Sequence, residues 1–566
     1  MKKFLTPNFV VGLLFLLGLG FRLYGLSWDQ GTHLHPDERF LTMVANDIHL
    51  PNSIAQYFDN STSPVNPYNY SQFQFYVYGI FPVLLTKVIA VLLHLDSYQY
   101  LNLVGRALSA VFDSINIILL YLITKKTFSS KSKLHYLPSF LYATTVLPIQ
   151  LSHFFAVDTF LTTFLLATFT LVIYSRYFLA GITFGLALAC KISASTFAPI
   201  ILIFLIRDFV QTKNLKKLLI NGLGFGFFSS LLFRIADPYI FKGLFLPNPL
   251  FLDNLKTLQS FSDPEGWFPP AVQWMSKIPL IFSLQNIILW GLGLPLSILF
   301  LISIFKTKKH TTSFIYFTIL FWVVTLYLFQ GSQFAHNMRY FLPIYPFILL
   351  LITYKTYSLK TPVVRGLVIL HLLFGLAFLG IYSRPHTRVQ ASEWIYDHIK
   401  KGALLTFEEW DDPLPLGYYN RIPQIYSTKG LSLYDPDQPK KWTKLNPILD
   451  SANYMVLSSN RLWGSIPLVP TRYPETTKFY QDLFNNRLSY SKIYESSSYP
   501  GFSIPFLKKC IYLGPSNIPG INNRWFEVDS NCAYPGVYLR DDTAEESFSV
   551  YDHPRVIIFR RNSSVL

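Results

Sequence analysis

Eleven long apolar runs decide what this chain can become. They are Phe9–Leu26, Leu103–Thr124, Leu134–Leu151, Thr159–Tyr174, Tyr177–Cys190, Ala194–Ile206, Leu218–Ile235, Phe282–Phe305, Ser313–Leu328, Tyr340–Tyr354 and Val363–Tyr382. Backbone in hydrocarbon must satisfy its own hydrogen bonds, and runs near 20 residues do so as helices about 30 Å long. The sequence therefore predicts a polytopic α-helical membrane protein, with about 11 transmembrane helices plus interfacial helices. Composition agrees, because of 566 residues 51% are apolar and only 14% charged, too few for the surface of a soluble protein of this length. No nucleic-acid partner is needed to explain the net charge of +16. Its Lys and Arg gather in short loops, the pattern of segments retained in the cytoplasm.

Those loops carry Lys125, Lys126, Lys131 and Lys133; Arg176; Arg207, Lys213, Lys216 and Lys217; Lys306, Lys308 and Lys309; and Lys355 with Lys360. Placing all five on the cytoplasmic side sends the loops at 27–102 and 237–280, and a tail at 383–566, to the outer side of the cytoplasmic membrane. The first run, behind Lys2-Lys3 and without a small-residue cleavage site, reads as an uncleaved helix with its N-terminus inside. Tyr76–His94 is long enough to span but would invert every later loop, so it is expected as an interfacial or re-entrant helix on the outer face. The tail reads as an extracytoplasmic α/β domain: helix-like over Ala391–Lys400, strand-like over Ala403–Glu408, Tyr454–Ser458 and Val556–Arg560, with Gly, Pro and Asn turns between. Cys510 and Cys532 share that domain and are able to pair there, whereas Cys190 sits in a membrane run.

Polar chemistry concentrates where helices meet the outer face. The first loop holds Trp28-Asp29 and then His33-Leu34-His35-Pro36-Asp37-Glu38-Arg39-Phe40. Pro36 at a first helical position, followed by two acids, predicts a helix start. Such a start fixes a carboxylate rigidly at the membrane surface, which makes Asp37 or Glu38 the candidate catalytic group. Other outer ends bring His153 and Asp158, Lys191, His336 and Arg339, and Asp237. A transporter or lipid flippase, the alternative reading, needs ionisable groups near the midplane. Only Arg22 and the pair Arg106/Asp113, two turns apart on one helix, answer to that. No HExxH, CxxC, Walker A, GxGxxG or GxSxG pattern occurs, so zinc-protease, nucleotide and serine-hydrolase chemistry have no footing. No cofactor is identified; a divalent metal would draw on Asp158 with Asp37 or His153, since oxygen-ligand sites have no readable spacing.

These residues resemble a known family. His35-Pro36-Asp37-Glu38, Asn66-Pro67-Tyr68-Asn69-Tyr70, Gly105-Arg106 with Leu108-Ser109-Ala110, Phe154–Thr159, Gly185–Lys191, and Arg339-Tyr340 with Pro343 and Pro346 look like the C-type membrane glycosyltransferases. Within them the chain is similar to bacterial relatives of protein O-mannosyltransferases and of aminoarabinose transferase. Thr387–Ser392, Glu409-Trp410-Asp411-Asp412 and Tyr551-Asp552-His553-Pro554 resemble a bacterial subgroup of unassigned acceptor. The resemblance implies a transferase module over 1–382 that moves a sugar, with inversion, from a polyprenyl-phosphate carrier to an acceptor (glycan, protein or lipid) outside the membrane. It implies Asp37 as catalytic acid group with Glu38 beside it, Lys191 and Arg339 near the lipid phosphate, Asp158 at the site, and His35, Tyr70 and Arg106 among substrate-binding residues. Tyr70-Ser71-Gln72-Phe73-Gln74 lacks the phosphate-contacting Lys of aminoarabinose transferases, which argues against transfer of a basic sugar to lipid A. One base and a cationic cradle for a departing phosphate suffice for a single displacement, and a lipid-linked donor needs no nucleotide motif.

Overall fold

The computed structural model describes residues 6–128, 133–244, 246–263, 268–305, 314–356 and 361–562. Lys131, Lys306, Lys308, Lys309 and Lys360, counted among the cytoplasmic basic loops, lie outside the described residues. Each apolar run falls on helix. The first is α1 (Pro7–Leu23), and the loop after it carries α2 (Pro36–Asp47), α3 (Ile54–Phe58) and α4 (Phe81–Leu92). Then come α5 (Tyr98–Thr127), α6 (Leu137–Thr144), α7 (Val146–Ser152), α8 (Val157–Ile173), α9 (Tyr177–Cys190), α10 (Ala198–Thr212) and α11 (Leu215–Ala236). The mid-chain loop forms a two-strand ladder, β1 (Phe241–Lys242) with β2 (Leu246–Pro247), and α12 (Pro249–Ser260). Helices α13 (Ile281–Asn286), α14 (Leu294–Phe305), α15 (Phe314–Gly331), α16 (Tyr345–Thr356) and α17 (Thr361–Leu379) complete the body.

Among the described residues five helices are long and apolar enough to cross a membrane, and a sixth crossing is available if 281–291 and 294–302, bent by 113°, count as one. Five shorter apolar helices accompany them, Pro7–Leu23, Phe81–Leu92, Val157–Ile173, Tyr177–Cys190 and Met338–Tyr354. The protein is thus a multi-pass helical membrane protein, and helix length stops short of the expected count of 11. Within Tyr76–His94 only α4 is helical, 12 residues or about 18 Å, too short to cross the ~30 Å of hydrocarbon.

Two features of the bundle turn on single residues. The third apolar run breaks between α6 and α7 because Pro148 has no N–H for the Thr144 carbonyl. Arg22 of α1 occupies the gap, donating to the carbonyls of Tyr142 (3.2 Å) and Ala143 (3.2 Å). Its Nε meets Asp113 at 2.6 Å, and the Tyr142 hydroxyl donates to the same carboxylate at 2.6 Å. Arg106 and Asp113, open in sequence to an internal ion pair or to contacts with neighbouring helices, take the second course: Asp113 serves Arg22, and Arg106 turns to the first loop. Gly18 lets α1 approach α5, since a Cβ there would meet Ile117 Cδ1 at 2.2 Å.

The tail folds around two sheets. The larger has strand order β4-β3-β5-β11-β6, from β3 (Leu404–Glu408), β4 (Ser427–Leu431), β5 (Tyr454–Leu457), β6 (Tyr490–Ser496) and β11 (Val556–Arg561). Alternation along its strands divides two cores. Val456 and Ile558 face Ala391 and Ile395 of α18 (Thr387–His398). Met455, Leu457, Ile557 and Phe559 face α19 (Pro439–Ser451) and α20 (Pro474–Phe484). The smaller sheet, order β7-β10-β8-β9, comprises β7 (Gly501–Ser503), β8 (Cys510–Leu513), β9 (Phe526–Asp529) and β10 (Gly536–Leu539). Cys510 and Cys532 form a disulfide, and Cys190 is buried and free.

The tail also reaches back into the membrane body through α21 (Glu546–Ser549) and the residues around it. Phe548 joins the main apolar core, its ring 5.5 Å from that of Phe378. Gln150 donates to the Phe548 carbonyl (2.6 Å) and the Asp552 carboxylate (2.9 Å), Tyr382 donates to Asp552 (3.0 Å), and Trp28 Nε1 donates to the Asp552 carbonyl (3.2 Å). His553 closes the anchor between Asp552 and Asp541, with Nε2 2.6 Å from Asp541. Burial opposes charge on His553, but the two carboxylates win and raise its pKa to about 10. A group raised in the folded state stabilises below its unfolded pKa and loses that contribution as pH rises through the folded value. The wild-type Tm is accordingly expected to fall by a few °C between pH 7 and 10, and His553→Gln should flatten this slope; an unchanged slope in the variant would remove His553 from the anchor.

Candidate active site

The first turn of α2 organises the site. His35 is its N-cap, with Nδ1 accepting from the Glu38 N–H (3.4 Å), and Pro36 occupies the first helical position. Burial, with Arg339, Arg106 and Arg39 nearby, holds the His35 pKa well below the usual histidine range, so its ring is a neutral acceptor. The ring is wedged between Phe154 (4.5 Å) and Tyr551 of the tail (4.4 Å).

Consecutive helical residues point about 100° apart, and this splits the acidic pair. Asp37 turns to the partly open side and forms an ion pair with Arg339. Glu38 turns inward and is fully buried. Its carboxylate takes Arg106 Nε at 2.9 Å and Nη2 at 2.5 Å, and the Phe155 N–H at 2.8 Å. Arg106 also holds Asp29 through two bonds, 2.9 and 2.7 Å, with Trp28 over its guanidinium. Two carboxylates share one cation here. Against the effect of burial Arg106 keeps Asp29 below the usual carboxylate range, while burial pushes Glu38 above it. Gly105 makes room for this arrangement, because a Cβ there would strike the Phe155 ring at 2.3 Å.

Arg339 connects Asp37 to the second acid–base pair. Tyr340 lies between two cations, its ring centroid 5.5 Å from the Arg339 guanidinium and 4.7 Å from Lys191 Nζ. Lys191 pairs with Asp158 at 3.0 Å. Close approach of the first loop fixes the Lys191 end of α9: the Gly79 N–H donates to the Cys190 carbonyl (3.0 Å), and a Cβ on Gly79 would fall 1.8 Å from the Ala189 carbonyl oxygen. Tail residues complete the wall. Glu545 accepts from the Met338 N–H (3.2 Å), and Arg461 holds Glu546 at 2.5 Å while reaching Tyr551. Arg39 pairs with Asp412 (2.8 Å), which Arg388 also binds.

Of the residues expected from sequence, Asp37, Arg339 and Lys191 come together half-buried around Tyr340, with buried Asp158 paired to Lys191 and His35 behind them. Glu38 and Arg106 are buried in the triad with Asp29. Tyr70 packs with Phe73 and donates its hydroxyl to the Pro64 carbonyl (2.8 Å), apart from the charged cluster. His153 is buried, stacked on Tyr382 at 3.6 Å, with its ring nitrogens 2.8 and 2.9 Å from the carbonyl oxygens of Ile149 and Tyr24. It has no nitrogen to offer a metal. Asp37 and Asp158 each carry a cationic partner, and no group of three or more His, Cys, Asp or Glu converges among the described residues. Tyr340, Glu545 and Tyr551 escaped sequence reasoning as site residues, although Arg339-Tyr340 and Tyr551-Asp552 stood within the stretches that carried the resemblance.

Residues 80–232 match the family profile described as dolichyl-phosphate-mannose-protein mannosyltransferase. The oligosaccharyltransferase of Archaeoglobus fulgidus, tethered with an acceptor peptide, aligns with a TM-score of 0.50 at 15% identity, over 82% of this chain and 70% of that one. The chain has a C-type membrane glycosyltransferase-like fold. The same archaeal enzyme in complex with an inhibitory peptide and a dolichol-phosphate gives 0.49 at 14% identity, over 83% and 72%. ArnT from Cupriavidus metallidurans in the apo state gives 0.44 at 13% identity, over 82% and 95%. No curated protein matches the sequence. The glycosyltransferase-like body thus places the ends of α2, α8 and α9 and the segment before α16 around one charged cluster.

Proposed function

We propose that this protein is an inverting glycosyltransferase of the outer face of the cytoplasmic membrane. It transfers a hexosyl or pentosyl group from a polyprenyl-phosphate carrier to an acceptor hydroxyl on a glycan, protein or lipid. The observation that carries the reading is the Asp37–Arg339 pair standing beside Lys191 and Asp158 around Tyr340. The acceptor oxygen attacks the anomeric carbon, the bond from that carbon to the phosphate oxygen breaks, and the lipid phosphate leaves with the electron pair. Asp37 takes the acceptor proton. Arg339 and Lys191 receive the phosphate, and an arriving phosphate competes with Asp37 for Arg339, freeing the carboxylate as the donor seats. Glu38 and Arg106 act as positioning residues by fixing the turn that presents Asp37. The module over 1–382 performs the transfer, and the extracytoplasmic tail, 383–566, walls the site through Glu545 and Tyr551.

The test is incubation of the full-length protein in lipid nanodiscs with a panel of radiolabelled polyprenyl-phosphate sugars, scored for release of sugar from the carrier. Turnover of at least one donor is expected; no turnover of any, with transbilayer movement of the intact lipid instead, would overturn the reading in favour of a flippase. With the active donor, Arg339→Ala should weaken binding or turnover at least tenfold, about 1.4 kcal/mol, and Arg339→Lys should recover only part because the planar fork is lost. Unchanged kinetics in both variants would return Arg339 to a purely structural place.

A further inference from the structure

The smaller sheet of the tail is inverted relative to what water asks of it. A sheet packed on one side ordinarily turns polar side chains to solvent on the other. Residues paired across strands lie on the same face, and the register here sets Phe502, Val537, Ile511 and Val528 in one row across the four strands. Leu539, Leu513 and Phe526 form the next row. This face carries no polar side chain in either row. Phe526 is 59% exposed, and Phe506 and Trp525, in the segments leading to β8 and β9, are 83% and 71% exposed.

The opposite face is the packed one. Cys510 and Tyr538 are buried there with Tyr499, and Glu527 pairs with Arg540. That face is clamped to the end of the last long apolar helix: Arg384, just beyond α17, donates to the Tyr499 carbonyl (3.0 Å) and lies 5.1 Å from the Tyr538 ring. Gly380 and Gly501 are in backbone contact, for a Cβ on Gly380 would meet the Gly501 oxygen at 2.5 Å. The sheet is therefore held where α17, whose Ile369, Leu370 and Leu373 are exposed for lipid to cover, leaves the hydrocarbon. Exposed Lys508 and Lys509 precede β8 and exposed Arg524 precedes β9, so basic residues bracket the apolar rows.

We propose that this sheet face is a membrane-docking surface, seated in the lipid leaflet at the C-terminal end of α17. Its aromatic and aliphatic side chains enter the boundary between headgroups and acyl chains, and Lys508, Lys509 and Arg524 meet anionic phosphates. The combination of exposed Trp and Phe with flanking Lys and Arg is the chemistry of an interfacial anchor. Basic residues around an apolar face match an anionic leaflet, which favours a bilayer over a protein partner. Docking would tie the tail, which walls the charged cluster, to the surface on which a lipid-borne substrate arrives.

The full-length protein with Cys190→Ala, reconstituted in phosphatidylglycerol-containing nanodiscs, tests this with a fluorophore on Phe526→Cys, on Phe506→Cys or, as a control on the far side of the tail, on Lys444→Cys. Doxyl-labelled lipid is expected to quench the Phe526 and Phe506 positions at least about threefold more than Lys444, with iodide doing the reverse. Iodide quenching of all three positions alike would overturn the proposal. Protection of Phe526 and Phe506 from both quenchers would also overturn it, assigning the face to a second copy or another protein. Two positions are used because Phe506 lies outside the strands, so a folding failure at Phe526 leaves the test standing.

Discussion

Asp37→Asn is expected to lower single-turnover sugar transfer by about 10² to 10⁴, the usual contribution of a positioned general base, while donor binding holds or tightens. The asymmetry follows from the ion pair. Asn keeps the size and shape of the side chain but cannot take the acceptor proton, and it releases Arg339 from its anionic partner for the lipid phosphate. Glu38→Gln should behave differently. That carboxylate is buried against Arg106 and the Phe155 N–H, so its loss should appear as lower stability, with the chemical step of the remaining folded enzyme reduced much less. Donor binding and single-turnover rates measured separately in both variants separate the roles. An Asp37→Asn enzyme that keeps more than about a third of the normal rate would remove Asp37 from the proton transfer.

The difference between these neighbours marks where sequence reading reaches its limit. Apolar run length and turn chemistry are local properties, so the helices and the strands near 403–408, 454–458 and 556–560 were legible in one dimension, whereas the run Leu134–Leu151 reads as unbroken and is two helices. The helix start at Pro36 was legible as well. Which of two adjacent acids faces outward depends on how α2 is rotated against α5, and that rotation is set by Gly105, Phe155 and Arg106, far away in sequence. Arg106 and Asp113 share a helical face, which leaves an internal ion pair and contacts to neighbouring helices equally open in sequence; only the packing shows Arg22 from α1 capturing Asp113 and leaving Arg106 to the loop. Tyr70 lay in a stretch that resembles the family, but its hydroxyl is spent on a local carbonyl. The tail was legible as an α/β unit, whereas its return into the site through Glu545, Phe548 and Tyr551 is a tertiary fact without a local signal. The same holds for the inverted sheet, because alternation reveals two faces and only register and packing reveal which one is left open.

The largest structural effect is expected from Arg106→Met. The guanidinium is the shared counter-ion of Asp29 and Glu38, all three groups being buried. Removing one partner of a buried ionic cluster leaves uncompensated charge and costs about 3–5 kcal/mol. Here two carboxylates are orphaned, and either must take up a proton or draw water into the junction of α2 and α5. Arg106→Lys should recover little, since one ammonium cannot reproduce paired bonds to two carboxylates. The triple variant Asp29→Asn, Glu38→Gln, Arg106→Met removes the charges together and should regain much of the loss, because a neutral cluster owes no desolvation to an unpaired ion. Tm and folded yield of the three proteins in detergent measure this. A Met variant as stable as the wild type would show that water already reaches the triad. A triple variant no better than the single one would show that geometry, and not charge, is what Arg106 supplies to the turn that presents Asp37.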